Sequence, residues 1–365
     1  MNIENRQIAW ACCIVVLALT CPSLGQDLPT AKPEDVGVSS AKVSAEAIKA
    51  SPKEAAKEDA RDAAAEDFEL VKAIAECDLA ILADPQNANA YLKRGNAWHT
   101  KYEFEKALAD YSQVVKLNPK NAVALYNRGN TWDKLGEYEK AIEDYTEAIR
   151  LDPKLVQAFA NRGSSWSDLG EFDKAFEDFS EAIRLDPKYA MAYCLRGVAW
   201  FNKEDYAKAI RDYGEAIRLD PKCASAYMYR GIVWFNRALF EKAVADYNEA
   251  IRHNPRFADA YFYRGNLWGR QGKFDQAVGD YTEAIRINPK YIDALYARGY
   301  TWHAKSKYDK AIADYSKAIT VDPECAKAYY GRGRAWKEKG ESEKAAADYK
   351  ESVRLEPSFA ELPYP

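Results

Sequence analysis

Three histidines and three methionines are all that this chain of 365 residues contains. His99, His253 and His303 are too scattered to build a metal site, and no CxxC or comparable ligand spacing occurs. There is no glycine-rich phosphate loop and no Ser/His/Asp grouping. No pair of carboxylates stands out from a pattern that repeats along the chain. The usual signatures of an enzyme, a metal and a cofactor are therefore all missing, and none of the three is expected. Basic charge is not in excess either. Against 56 Asp and Glu stand 52 Lys and Arg, a formal net charge of −4, so no field invites nucleic acid. Long apolar runs are absent: the 12 residues Ile8–Leu19 fall short of the roughly 20 that a membrane-spanning helix requires.

That short run has another use. It follows a polar start containing Arg6 and precedes the small residues Ser23 and Gly25, the order of a secretory signal peptide over residues 1–25. Export to a periplasm or the exterior is expected. The alternative is an uncleaved segment that anchors the protein in the membrane, the one circumstance in which a membrane is a partner. Lipidation at Cys21 fits poorly beside Ala18 and Thr20. Residues 26–53 hold Pro29, Pro33 and Pro52 among small and charged residues, too little apolar surface to offset ordering, and read as a flexible linker. Beyond the signal the cysteines are Cys77, Cys194, Cys223 and Cys325. Cys223 and Cys325 share one repeat position three repeats apart, too far to bridge, so free or buried thiols are expected.

What the chain has in abundance is repetition. Nine prolines recur every 34 residues from Pro85 to Pro357, eight tryptophans from Trp98 to Trp336, and eight Arg-Gly pairs from Arg94-Gly95 to Arg332-Gly333. Units that recur at a fixed interval stack because none can bury its apolar face alone. Eight units start at Ala88, Ala122, Val156, Ala190, Ala224, Ala258, Ile292 and Ala326 and fill residues 88–359. In each, a helical stretch ends near a turn residue such as Gly136 or Gly170, and a second runs to Asp/Asn-Pro, giving a helix hairpin. Residues 54–87 copy only the second half of a unit and read as a degenerate cap. Residues 360–365 form a tail.

The pattern Leu125-x2-Arg128-Gly129-x2-Trp132-x8-Ala141-x3-Tyr145-x2-Ala148-x4-Pro153, repeated eight times, resembles the tetratricopeptide repeat. The resemblance implies an all-α superhelical solenoid of antiparallel helix hairpins. It also implies a concave groove lined by the first helices, and protein or peptide partners. Gly95 and its equivalents are expected to let the first helix approach Ala107 and its equivalents. Ala148 and its equivalents seat the next repeat. Family members that hold a terminal carboxylate use a lysine–asparagine clamp. Here the lysine position reads Leu92, Tyr126, Ala160, Cys194, Met228, Phe262, Tyr296 and Tyr330, so that clamp is not expected.

Two departures from the family frame carry information. Arginine stands before the glycine in all eight units where an apolar residue is usual, and aspartate recurs in all eight second helices from Asp110 to Asp348. Each Arg is expected to pair with an Asp, within its repeat or across to a neighbour, as framework. Secondly, the face of the first helix turned away from its hairpin partner changes character along the chain. At about 100° per residue it is polar in repeats two and three (Asn127, Asn130, Asp133, Asn161, Ser164, Ser167, Asp168). In repeats four to seven it becomes apolar: Met191, Cys194, Leu195, Val198 and Phe201, then Met228, Tyr229, Ile232 and Phe235, then Phe262 and Tyr263, then Tyr296 and Tyr300. This is the expected peptide-binding groove, a contiguous exposed strip, unless the solenoid winds tightly enough for these side chains to touch one another. After Pro357 no polar closing helix follows. Either Phe359, Leu362 and Tyr364 fold back over Tyr349 and Val353, or another subunit covers them, which leaves a homo-oligomer open.

Overall fold

The structure, a computed structural model, describes residues 52–362, with side chains from Asp67 onward. The expected signal peptide, nearly all of the expected linker and Tyr364 lie outside these residues. The described residues form 17 α-helices and no strands, in two compact units divided after Leu185.

The first unit opens with α1 (Pro52–Ala83), one uninterrupted helix. It takes in the last two residues of the expected linker, because proline is tolerated in a helix's first turn. The alanine-rich stretch behind it offers no turn residue, so no hairpin forms. Three hairpins follow: α2 (Ala88–Thr100) with α3 (Phe104–Leu117), α4 (Ala122–Lys134) with α5 (Tyr138–Leu151), and α6 (Val156–Asp168) with α7 (Phe172–Leu185). The second unit holds five: α8 (Ala190–Asn202) with α9 (Tyr206–Leu219), α10 (Ala224–Asn236) with α11 (Phe240–His253), α12 (Ala258–Arg270) with α13 (Phe274–Ile287), α14 (Ile292–Ala304) with α15 (Tyr308–Val321), and α16 (Ala326–Glu338) with α17 (Ser342–Leu355). A 3-10 turn, Pro357–Glu361, closes it.

Local chemistry explains the monotony. In every hairpin turn the N–H of the residue after the left-handed position donates to the tryptophan carbonyl five residues back, as Leu239 does to Trp234 at 2.9 Å. This is the Schellman closure that ends a helix. The left-handed residue is glycine in four repeats (Gly136, Gly170, Gly272, Gly340) and Tyr102, Glu204, Ala238 or Ser306 in the others. Between repeats, the Asp or Asn before proline accepts from the N–H two residues on, as Asp220 does from Lys222 at 2.9 Å. Proline then stops the helix.

In repeats one to seven the glycine after the Arg is required by a ring rather than by the small alanine. A Cβ on Gly197 would sit 2.6 Å from the ring of Tyr213, and one on Gly129 2.8 Å from Tyr145. Ala107 and its equivalents are buried, but the aromatic ring of the second helix, tyrosine or in repeat three Phe179, sets the close approach. Ala148, Ala216, Ala250, Ala284 and Ala318 are fully buried, as are Val114 and Ser352, which replace alanine in repeats one and eight.

Candidate functional site

All eight arginines pair within their own repeat. In each, Nε and Nη2 donate to the two carboxylate oxygens of the Asp sixteen residues on, from Arg94–Asp110 (2.8 and 2.6 Å) to Arg332–Asp348 (2.8 and 2.8 Å). The aspartates are buried and the arginines half-buried. Hydrogen bonds donated to the carboxylates hold the Arg94, Arg128, Arg230 and Arg332 guanidiniums above their usual range, against the opposing effect of burial. Nη1 then reaches back to the preceding second helix: Arg128 to Ser112 (3.3 Å), Arg162 to Thr146 (3.0 Å), Arg264 to Asn248 (2.6 Å), Arg298 to Thr282 (3.0 Å) and Arg332 to Ser316 (3.1 Å). A planar fork suits this three-way contact where a lysine would not. The track is consumed internally, which makes it framework.

In the first unit the inner face is a polar ladder. Tyr111 donates to Asn96 Oδ1 (2.9 Å), which also accepts from Asn127 Nδ2 (3.0 Å). One repeat on, Asn130 Oδ1 accepts from Tyr145 (2.8 Å) and Asn161 (2.8 Å). Ser165 adds a hydroxyl to Asp133 (2.7 Å). These groups satisfy one another.

In the second unit the same positions turn aromatic. Where Asn161 stands in repeat three, repeats five and six have Tyr229 and Tyr263. Tyr229 stacks on Tyr213 (6.0 Å, 14°) and Tyr263 on Tyr247 (6.4 Å, 16°). Val198 stands where Asn130 does, so the buried Tyr213 hydroxyl has no hydrogen-bond partner among the described residues. Desolvation pushes its pKa well up. Tyr296 packs tilted on Tyr315 (5.6 Å), and burial pushes its pKa up to about 12.

The thirteen residues expected to line an exposed groove divide accordingly. Cys194, Met228, Ile232, Phe235, Phe262 and Tyr263 are buried. Leu195, Val198, Phe201, Tyr229, Tyr296 and Tyr300 are half-buried, and Met191 alone is exposed, at 41%. The expectation of a continuous exposed strip is thus corrected, because neighbouring helices take up much of it. Phe262 lies against Tyr291 (5.1 Å), Phe235 against Phe240 (5.9 Å), and the Arg270 guanidinium covers Phe235 at 5.4 Å. What stays accessible is concentrated on α8, where Met191, Leu195 and Val198 follow one another along one side at i, i+4 and i+7.

Three features escaped the sequence reading. Cys194 and Cys223 are neighbours: Cys223 packs against the cluster that contains the buried Cys194, close enough for each thiol to shift the other's titration. On α1 the outward positions that carry Glu105 and Lys116 in repeat one carry Val71 and Leu82 instead. With Phe68 and Leu79 they make an exposed apolar face, Leu82 being 80% exposed. The third is His99 and His303, half-buried edge-on against Phe104 and Tyr308 (both 5.4 Å), with their pKa values lowered by desolvation. At the carboxyl end Phe359 folds back onto Tyr330 (5.3 Å), while Leu362 remains 38% exposed. Among the described residues no group of three or more His, Cys, Asp or Glu is placed to hold a metal, and no helix is long and apolar enough to cross a membrane.

The family comparison places this architecture. Models of the tetratricopeptide repeat match residues 122–155, 156–189, 190–223, 258–291, 292–325 and 326–359, and a further TPR repeat model matches 103–132 and 240–272. No curated protein matches the chain. Among solved structures it is similar to the Cut9–Hcn1 hetero-tetramer of the APC/C (TM-score 0.57, 15% identity, covering 76% of this chain and 55% of that one). It is also similar to yeast Tom70 (TM-score 0.54, 20% identity, 74% and 58%). The chain thus spans little more than half the length of these two structures, and the likeness is one of fold.

Proposed function

Starting from the premise that this chain belongs to the tetratricopeptide-repeat family, a fold that serves as a scaffold for protein interactions, we propose that it binds a protein or peptide through the inner face of repeats four to seven. The observation that carries this reading is the accessible apolar side of α8. Met191 is exposed, with Leu195, Val198 and Phe201 half-buried beside it and Tyr229, Tyr296 and Tyr300 further along the same unit. Partly desolvated aliphatic and aromatic groups that already sit in place lose little entropy on binding. They suit a segment presenting its own apolar anchors, and Met191 adapts to its shape. The mechanism is docking without catalysis. The buried members of the expected groove, such as Phe235 and Tyr263, support this face from beneath instead of touching the ligand.

The setting we propose is outside the cytoplasm, on the strength of residues 1–25, in a periplasm or the exterior. An anchored accessory subunit is the alternative, and amino-terminal sequencing of the mature protein separates the two. The docking test is capture from envelope extract with the wild type beside Leu195→Glu, Val198→Glu. The half-buried positions are the right ones, since Tyr263→Asp would break a stacked core contact. A partner held by the wild type and released by the variant, with helicity unchanged, is the expected result. Equal retention by both would defeat the reading.

A second reading is favoured by one observation. The apolar outer face of α1 suits association with a second copy of the chain, in preference to the carboxyl-terminal edge, where Phe359 already covers Tyr330. A mass that rises with concentration and becomes monomeric in Leu79→Glu, Leu82→Glu is its expected mark. A monomeric wild type at all concentrations would dismiss it.

A further inference from the structure

Repeat symmetry brings two particular positions together. The fifth residue of a repeat and its last residue lie side by side. In repeat six these are Phe262 and Tyr291, with ring centroids 5.1 Å apart, and in repeat eight Tyr330 and Phe359, at 5.3 Å. In repeat four the same two positions are Cys194 and Cys223. Repeat seven has only one thiol there, Cys325, opposite Tyr296.

We propose that Cys194 and Cys223 form a thiol–disulfide exchange site that reacts with low-molecular-weight disulfides, with Cys223 as the attacking sulfur and Cys194 as the resolving one. Their surroundings differ in the way that division of labour needs. Cys223 is half-buried and caps the amino terminus of α10, so its sulfur sits at the end where the helix leaves N–H groups, those of Ser225 and Ala226 among them, without partners in the helix. A helix amino terminus favours a thiolate. The hydrogen bond from the Cys194 thiol favours it further, and together with those N–H groups brings the Cys223 pKa down to about 7 against the cost of burial. Cys194 is buried among Tyr213, Ala209, Ala216, Ala226 and Val233. The same hydrogen bond and desolvation hold it well above the ordinary thiol value. A buried thiol is out of reach of external disulfides and within reach of its half-buried, more readily ionised neighbour. Cys325 is the internal comparison: it occupies the position of Cys223, faces no thiol, and burial raises its pKa.

The chemistry balances with one disulfide RSSR. The Cys223 thiolate attacks one sulfur, breaking its S–S bond, forming a protein–SR mixed disulfide and expelling RS⁻, which takes up the proton that Cys223 gave to solvent. Cys194 then loses its proton and attacks the Cys223 sulfur. The Cys194–Cys223 disulfide forms and the second RS⁻ leaves, protonated by solvent. Two protein thiols are oxidised and one external disulfide is reduced to two thiols.

The test uses the full chain, reduced, freed of reductant and equilibrated in glutathione buffers of graded oxidised-to-reduced ratio, then quenched with alkylating agent and mapped by peptide mass. The variants have precedents within the chain: Cys194→Ala copies Ala160 of repeat three, and Cys223→Asn copies Asn121 of repeat one. The wild type is expected to form the 194–223 linkage at a lower ratio than any other linkage. Cys194→Ala should trap one glutathione on Cys223, and Cys223→Asn should leave Cys194 unmodified. In the reduced wild type at neutral pH, iodoacetamide should label Cys223 at least about tenfold faster than Cys325. The proposal is overturned if the wild type forms no 194–223 linkage at any ratio, or forms another one first. It is equally overturned if Cys194→Ala, folded by circular dichroism, leaves Cys223 free of glutathione. Should that variant not fold, the wild-type linkage and labelling rates decide alone.

Discussion

Removing the carboxylate from one Arg–Asp clamp should cost far more than removing the whole clamp. Arg230 and Asp246 are the cleanest pair, since Gly214 presents no side chain to Nη1 where other repeats have Ser, Thr or Asn. Nε and Nη2 each donate at 2.8 Å to a carboxylate whose side chain is 8% exposed, from an arginine side chain 23% exposed. Asp246→Ala leaves a guanidinium mostly out of water with nothing to neutralise it. Breaking a fully buried pair this way costs about 3–5 kcal/mol. Arg230 can turn partly outward to water, so about 2–3 kcal/mol is the expected loss here. Replacing both ends, Arg230→Met with Asp246→Leu, removes the desolvation burden as well as the attraction and should cost no more than about 1 kcal/mol. With Asp246→Leu as the second single variant, the coupling energy from the cycle with Arg230→Met should therefore exceed about 1.5 kcal/mol. Urea unfolding of the full chain, followed by helicity, measures it. A separate early transition in Asp246→Ala would itself report the weakened repeat, since neighbouring units support one another. A single-variant loss under about 0.5 kcal/mol, or a double variant as unstable as the sum of the singles, would refute the claim that each charge in the clamp is tolerated only because its partner neutralises it.

Three smaller changes test the same framework. Ala238→Gly relieves a left-handed residue (φ 57°) at a position where four repeats have glycine, and should raise stability by about 0.5–1 kcal/mol after the entropy cost of glycine; no rise in Tm would count against it. Gly214→Ser should gain about 1 kcal/mol, because it removes a glycine from the middle of α9 and offers Arg230 Nη1 the hydroxyl that Ser316 gives Arg332. A loss in thermal melting would show that the site cannot accept it. The half-buried His303 has its pKa lowered below the usual 6.5 by desolvation, so the native state binds fewer protons than the unfolded chain. That contribution is constant above about pH 6.5 and lost as pH falls from there through the folded value. His303→Phe reproduces the Phe201–Tyr206 contact found at the same positions in repeat four, and should flatten the decline in Tm between neutral pH and pH 5. An unchanged decline would contradict it.

The regularity of the hairpins was readable because the residues that write it act locally. Proline ends one helix, a left-handed residue ends the other, and both recur in register. The Arg–Asp pairing was foreseen in kind, but its choice of partner depends on how two helices cross. The groove was misjudged for a similar reason. A helical wheel assigns Tyr229 and Tyr263 to the inner side of their own helices, yet their rings stack on Tyr213 and Tyr247 of the preceding repeats. Cys194 and Cys223 lie 29 residues apart in sequence and declare nothing individually. Only the register that places Phe262 on Tyr291 shows that those two positions meet. The apolar face of α1 was legible in principle, by comparing Val71 and Leu82 with Glu105 and Lys116 one repeat later.

The most direct test of a docking face in repeats four to seven is site-specific photo-crosslinking on the full chain in envelope extract. One crosslinker replaces Leu195 and another replaces the outward-facing Glu241. Adducts of defined mass at position 195, absent at 241 and suppressed by Met191→Glu, are the predicted result. Adducts at 241 alone, or at neither position, would contradict it.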